Sequence, residues 1–195
     1  PTKTIKILCS VPCYGPGHPR EPNPMPTSTM PTVTLRDATP DDYSAIVALN
    51  HAEVAHTSDM DIARLGVLAQ LSVYLKVAVV DEQVVAFLLV MQQDADYQND
   101  NFLWFQEQFP RYWYIDRIVV DSAFAGLKIG SLLYADVIKA AQLAGALALT
   151  CEYNIQPPNL ISARFHSKWG FEALGSQWLG GGSKQVSLQA LKLDR

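Results

Sequence analysis

Tyr112 to Ala144 reads YWYIDRIVVDSAFAGLKIGSLLYADVIKAAQLA, and the change of period inside it decides the fold. The first nine residues form a continuous aromatic and β-branched run, which predicts a strand over Tyr112–Val120. A loop bearing Gly126 and Gly130 follows. Beyond it Ile129, Leu133, Val137 and Ala144 fall on one helical face, which predicts a helix over Gly130–Ala144. A second apolar run, Ala146–Tyr153, predicts another strand. Strand, helix and strand make a βαβ crossover, and such a crossover joins parallel strands.

Working upstream, the chain becomes globular at Thr32. Val33–Arg36 is a predicted strand and Asp41–Ala55 a predicted helix, with Thr39 or Asp41 to cap it and Ile46, Leu49 and Val54 placed for burial. Met60–Ser72 is a second helix, with Ile62, Leu65, Leu68 and Ala69 at helical spacing. Leu75–Val80 and Val84–Met91, joined by Asp81, Glu82 and Gln83, form a hairpin. Gln92–Pro110 is polar, then aromatic, and long for a plain connection. Downstream come a helix over Asn159–Trp169 and a closing hairpin about Gly180, Gly181 and Gly182. The order predicts a mixed α/β sheet.

Residues 1–31 differ from the rest. Pro1, Pro12, Pro16, Pro19, Pro22, Pro24, Pro26 and Pro31 remove backbone donors and block regular pairing, so this segment is expected to be a disordered extension, with one domain over residues 32–195. Met30 resembles an ordinary start. A formal net charge of -4 lacks the basic stripe that nucleic-acid binding needs. No apolar run reaches the length of a membrane span. Cys9, Cys13 and Cys151 cannot build a disulfide framework, which fits a reducing cytoplasm. Cys9 and Cys13 have only His18 beside them, so no metal is expected. Cys151, in an apolar strand, reads as a core residue.

The loop before the Gly130 helix brings backbone N–H groups to a helix N-terminus, where the dipole is positive, and that suits a pyrophosphate. Many α/β proteins share this arrangement. The segment NLISARFHSKWGF, Asn159–Phe171, is more particular. On a helix, Asn159, Ser162 and His166 share a polar face beside Ile161, Phe165 and Trp169, and Gly170 stops the helix.

With these two segments the chain, from Thr32 to its end, resembles the GCN5-related N-acetyltransferases. The first family motif, Arg/Gln-x-x-Gly-x-Gly/Ala, corresponds to Ala125–Gly130, with Ala125 in place of Arg or Gln and Lys128 in place of glycine. The second, Asn-x-x-Ser/Ala-x-x-Phe/Leu-Tyr-x-x-x-Gly-Phe, is met by Asn159, Ser162, Phe165, Gly170 and Phe171, with His166 at the tyrosine position. The resemblance implies a mostly antiparallel mixed sheet with a central splayed parallel strand pair and flanking helices. It also implies metal-free acetyl transfer from acetyl-CoA to a primary amine of a small molecule or peptide, and it admits a homodimer. Pantetheine contacts would fall on Ile118, Val119 and Val120, and phosphate contacts on Ala125, Gly126, Leu127, Lys128, Ile129, Gly130 and Ser131. Asn159, Ser162 and His166 complete the coenzyme side. Lys128 either meets a phosphate or is simply exposed.

Transfer needs a base for the amine and a proton for the thiolate. Strand alternation puts Tyr114, Asp116 and Ile118 on one face and Ile115, Arg117 and Val119 on the other. Asp116 is the first candidate base, unless it is paired with Arg111 or Arg36; Glu152 and Asn154 follow. His166, at the position of the family's general-acid tyrosine, either donates as an imidazolium or packs beside the coenzyme. Acceptor contacts are expected from Glu53, with His51, His56 and Asp59, and from Asp96, Tyr97, Asn101 and Trp104, joined by Tyr114 and Asn154. Acidic and aromatic side chains suit a cationic amine, and solvated loop charges would give the same pattern. A non-catalytic acetyl-CoA-binding regulatory domain is the alternative, supported by Ala125 and Lys128.

Overall fold

A computed structural model describes residues 31–54 and 57–193. The expected extension falls outside the described residues except for Pro31, and so do Cys9, Cys13, His18 and His56. Strand β1 (Val33–Asp37) is followed by α1 (Tyr43–Ala52), α2 (Ile62–Leu71) and the hairpin β2 (Ser72–Val80) and β3 (Gln83–Gln92). Then come α3 (Asp100–Gln108), β4 (Tyr112–Val120), α4 (Ile129–Leu143), β5 (Ala148–Gln156), α5 (Leu160–Lys168), β6 (Glu172–Leu179) and β7 (Lys184–Lys192). The seven strands form one sheet in the order β1-β2-β3-β4-β5-β7-β6. Only β4 and β5 pair in parallel.

The local chemistry accounts for most boundaries. Asp61 accepts a hydrogen bond from the Arg64 amide at 2.7 Å and caps α2, and the Asn99 side chain caps α3 by accepting from the amides of Asn101 and Phe102. Thr39 and Asp42 form a capping box for a short 3-10 turn over Pro40–Asp42 ahead of α1. Arg36 binds Asp42 at 2.7 Å, which holds that carboxyl down to about 2. Asp81 and Glu82 both take positive φ, the geometry of a two-residue hairpin turn, so Gln83 belongs to β3 instead of the connection.

Gln92–Pro110 is not mainly a loop. Its second half is α3, because Phe102 and Phe105 lie at helical spacing and both are fully buried. Burial also departs from expectation at Val54, Ile62, Ile161 and Ala144, which face solvent; Leu65 and Leu68 are the fully buried residues of α2, with Leu71 packed beside them.

One apolar cluster covers each face of the sheet. On one face α4 and α5 pack Ile129, Leu133, Tyr134, Val137 and Phe165 against Trp113, Ile115, Leu149 and Cys151. On the other, α1, α2 and α3 pack Ile46, Leu65, Leu68, Phe102 and Phe105 against Tyr112, Tyr114, Val119 and Leu188.

Strand β4 departs from simple alternation. Val90 pairs with Ile115 and Leu89 with Arg117, so Asp116 is an extra residue opposite no partner, a β-bulge. The bulge shifts the phase. Tyr114 therefore faces the α1–α3 side while Ile118 packs on the α4–α5 side, and the expected common face of Tyr114, Asp116 and Ile118 does not exist.

Candidate active site

Beside that bulge the sheet opens. Strand β4 pairs with β5 only through Tyr112–Ala148, Trp113–Leu149 and Tyr114–Thr150. From Ile115 to Val120 the edge of β4 facing β5 has no ladder partner, though β3 still pairs on the other side. A cavity of about 220 Å³ occupies the gap. Its walls come from both faces of the sheet. Ile118, Tyr134, Asn159, Ser162 and His166 line it from the α4–α5 side, and Ser58, Asn99, Asp116, Glu152, Asn154 and Lys184 from the other.

The loop between β4 and α4 lies past the opening. The amides of Ile129, Gly130 and Ser131 begin α4 and have no backbone acceptor. Lys128 takes the left-handed conformation, φ 57° and ψ 25°, which explains why glycine suits that motif position. At Gly130 an added methyl would meet Phe165 Cζ at 3.5 Å, an ordinary contact, so Gly or Ala fits. Asn159 Oδ1 accepts from the Ser162 amide at 3.0 Å, so this asparagine is the N-cap of α5.

His166 is buried. Its Nδ1 lies 2.8 Å from the carbonyl oxygen of Ser162, which can only accept, so Nδ1 carries the proton. Nε2 is then a bare acceptor for the Tyr134 hydroxyl at 2.7 Å. Burial lowers the pKa of His166, against a smaller opposing effect of the Ser162 carbonyl. The ring is neutral, so of the two readings the sequence leaves open for His166 the imidazolium donor is not the form this pocket favours. Tyr153 stacks on the ring at 5.6 Å.

Across the gap, Asp116 is fully engaged. One oxygen accepts from Tyr97 and the other from Arg117 Nε at 2.6 Å, and the two charged side chains are 3% and 6% exposed. The ion pair foreseen with Arg111 or Arg36 is made by Arg117 instead; Arg117 is held by Asn50 Oδ1 at 3.0 Å and by Ser58. Glu152 accepts from Tyr114 at 2.8 Å, and its accessible surface opens on the cavity. Although part-exposed there, its carboxyl is closely surrounded by protein. Burial first, and the nearby Asp116 charge, push it from its ordinary 4.5 up to about 7, against the lowering effect of the Tyr114 hydroxyl.

Of the expected acceptor residues, Asn154 lines the cavity, while Tyr97 and Tyr114 bond the two carboxylates. Asn101 also lines it and accepts from Gln177. Glu53 lies in a separate groove with Leu49, Val84 and Val119. Asp96 and His51 are exposed, Asp59 bonds the Met60 amide, and Trp104 packs over Gly175. Cys151 is buried, a free thiol pushed up by desolvation, as a core residue would be.

Sequence reasoning overlooked Tyr134, Arg117 and Lys184. Signals existed for two of them: a tyrosine hydroxyl on an apolar helix face needs a partner, and Lys184 shares the inward register of Val186 and Leu188.

Among the described residues no helix is long and apolar enough to cross a membrane. The acetyltransferase (GNAT) family model matches residues 36–171. A search of curated proteins gives no match. Similar solved structures include Ard1 from Thermoplasma volcanium, at TM-score 0.67 and 17% identity, covering 84% of this chain and 99% of that one. YncA from Salmonella typhimurium, solved with its cofactor acetyl-CoA, aligns at TM-score 0.64 and 20% identity over 84% and 95% of the two chains. A ribosomal-protein-alanine N-acetyltransferase from Brucella melitensis aligns at TM-score 0.64 and 21% identity over 82% and 99%. At these identities the likeness is one of fold.

Proposed function

Because this chain belongs to the acetyltransferase (GNAT) family, we propose that it moves an acetyl group from acetyl-CoA directly to a primary amine of a small molecule or peptide. The observation that carries the reading is the parting of β4 and β5 after three paired positions. It leaves a passage through the sheet, so a thioester from the α4–α5 side and an amine from the α1–α3 side can meet without crossing protein.

In this reading pantetheine runs along the bare edge of Ile118, Val119 and Val120, bonding backbone as an added strand does. The diphosphate lies against the loop from Ala125 to Ser131 and takes its free amides, those of Ile129, Gly130 and Ser131 among them. Glu152 is the base, since a carboxyl titrating near 7 accepts a proton at neutral pH while Asp116 has both oxygens committed. Asp116 acts as a positioning residue between Tyr97 and Arg117. As the C–N bond forms and the C–S bond breaks, the nitrogen gives up a proton and the thiolate gains one. Tyr134 delivers it by turning its hydroxyl from His166 Nε2 to the sulfur, and the tyrosinate then regains a proton from solvent.

The test is thiol release from acetyl-CoA over a panel of primary amines, with the acetylated product identified by mass. Heat on titration with acetyl-CoA, but no release with any amine, would favour the non-catalytic binding domain.

A further inference from the structure

The cavity holds one cation that its neighbours do not neutralise. Lys184 opens β7 beside the β6–β7 turn, is half-buried and lines the acceptor side of the gap. Among the described residues no carboxylate lies within ion-pairing distance of it. The other full positive charge in the wall, Arg117, is matched by Asp116 at 2.6 Å. Its stem is half-buried while its ammonium keeps contact with solvent at the cavity, so the charge is free to meet an anion that enters.

We propose that Lys184 binds an anionic group of the acceptor, so that the amine taken here carries a carboxylate or similar charge close to its amino group, as an amino acid does. The inference rests on the acetyltransferase reading and narrows it. Glu152 pairs across the sheet with Leu188, four residues along β7 from Lys184, about 14 Å at the rise of an antiparallel strand. Lys184, Val186 and Leu188 share one face of that strand, so the ammonium and the Glu152 carboxyl approach the same space from its two ends. Both side chains border the one cavity, which leaves room between them for a molecule whose amine and anion are a few bonds apart. The cavity of about 220 Å³ also takes in the coenzyme side, so the space left between Glu152 and Lys184 suits a small acceptor. A polyamine would bring a second cation to Lys184, and like charges repel there. A protein N-terminus would present a neutral amide where the charge belongs.

The experiment compares the common L-amino acids with their α-amides as acceptors, by thiol release and product mass. The preferred acid should exceed its amide in kcat/KM by tenfold or more, which is about 1.4 kcal/mol. Lys184→Met should bring that ratio close to one, with the loss mainly in KM, and Lys184→Arg should retain most of it. Amides that serve as well as the acids, or an undiminished ratio in Lys184→Met, would overturn the inference and leave the acetyltransferase reading intact. No release with any acid or amide, while another primary amine releases thiol, would overturn the inference alone; no release with any primary amine, while acetyl-CoA binds, would overturn both.

Discussion

The two faces of the sheet reach the same cavity by different means. On the α4–α5 face the contacts within the α5 motif are local, Asn159 to the Ser162 amide across three residues and His166 to Ser162 across four, and one longer contact, Tyr134 to His166 across 32, ties α5 to α4. On the α1–α3 face they are distant: Tyr114 meets Glu152 across 38 residues, Arg117 meets Asn50 across 67, and Gln177 meets Asn101 across 76. A local network is held by one helix and survives as a motif. A distant one holds only while several elements stay packed together, so the acceptor face should be the more fragile and the coenzyme face the more autonomous.

The largest test of that contrast is Arg117→Met. It strands the Asp116 carboxylate in a buried site, and breaking such a pair typically costs about 3 to 5 kcal/mol. Urea unfolding should show this loss. Adding Asp116→Asn to the same chain should recover a good part of it, because no uncompensated charge remains. A single variant as stable as the parent would show that the acceptor network bears little of the fold.

Glu152→Gln should then separate function from stability. The expected loss in kcat/KM is roughly 100-fold, and the fall in rate of the parent enzyme below about pH 7 should vanish with it. For stability the sign is the reverse. The folded value lies above the ordinary 4.5, so folding favours the neutral carboxyl; that contribution is complete below pH 4.5 and is lost as pH rises through about 7. At pH 8 the glutamine variant, which still offers an acceptor to Tyr114, should be the more stable by about 2 kcal/mol, a figure reduced for the side of Glu152 open to cavity water. At pH 5 much of the advantage should disappear. Thermal unfolding at the two pH values measures both.

On the coenzyme face, Tyr134→Phe removes the donor to His166 Nε2. We expect kcat to fall about tenfold, with less change in KM for acetyl-CoA, and stability to fall by about 1 kcal/mol for a buried acceptor left bare. An unchanged kcat would remove Tyr134 from the mechanism and leave its hydroxyl a purely structural partner of His166.

The same contrast decides what the sequence disclosed. The βαβ crossover, the glycine loop and the Asn159–Phe171 helix were legible because their chemistry is written in spacings of a few residues. The Asp116 bulge was not, because alternation assumes a regular ladder and one extra residue reverses every face beyond it. Asp116 and Glu152 were identified by type and strand, but their partners Arg117, Tyr97 and Tyr114 come from the bulge and from the packing of α3. The acidic and aromatic residues read as acceptor contacts were judged by composition: Trp104 went to a neighbouring strand at Gly175, and Asp96 to solvent.

Lys128 gives the smallest effect and the finest comparison, since there the local face departs from its own motif at a position where the backbone itself favours glycine. Its φ of 57° puts a lysine in the left-handed region, which costs an L-residue about 1 to 2 kcal/mol, while glycine enters it freely. Lys128→Gly releases that strain and removes a positive charge from the positive end of α4; the greater freedom of glycine in the unfolded chain takes back part of the gain. The net should be a stabilisation of about 1 kcal/mol, or a rise of about 2 to 4 °C in Tm for a chain of this size. If Lys128 meets the diphosphate, where Ala125 supplies no side-chain donor, acetyl-CoA should bind the glycine variant severalfold more weakly, with a shallower dependence on salt. A variant that gained stability and lost no affinity would show that the amides of the loop hold the diphosphate alone.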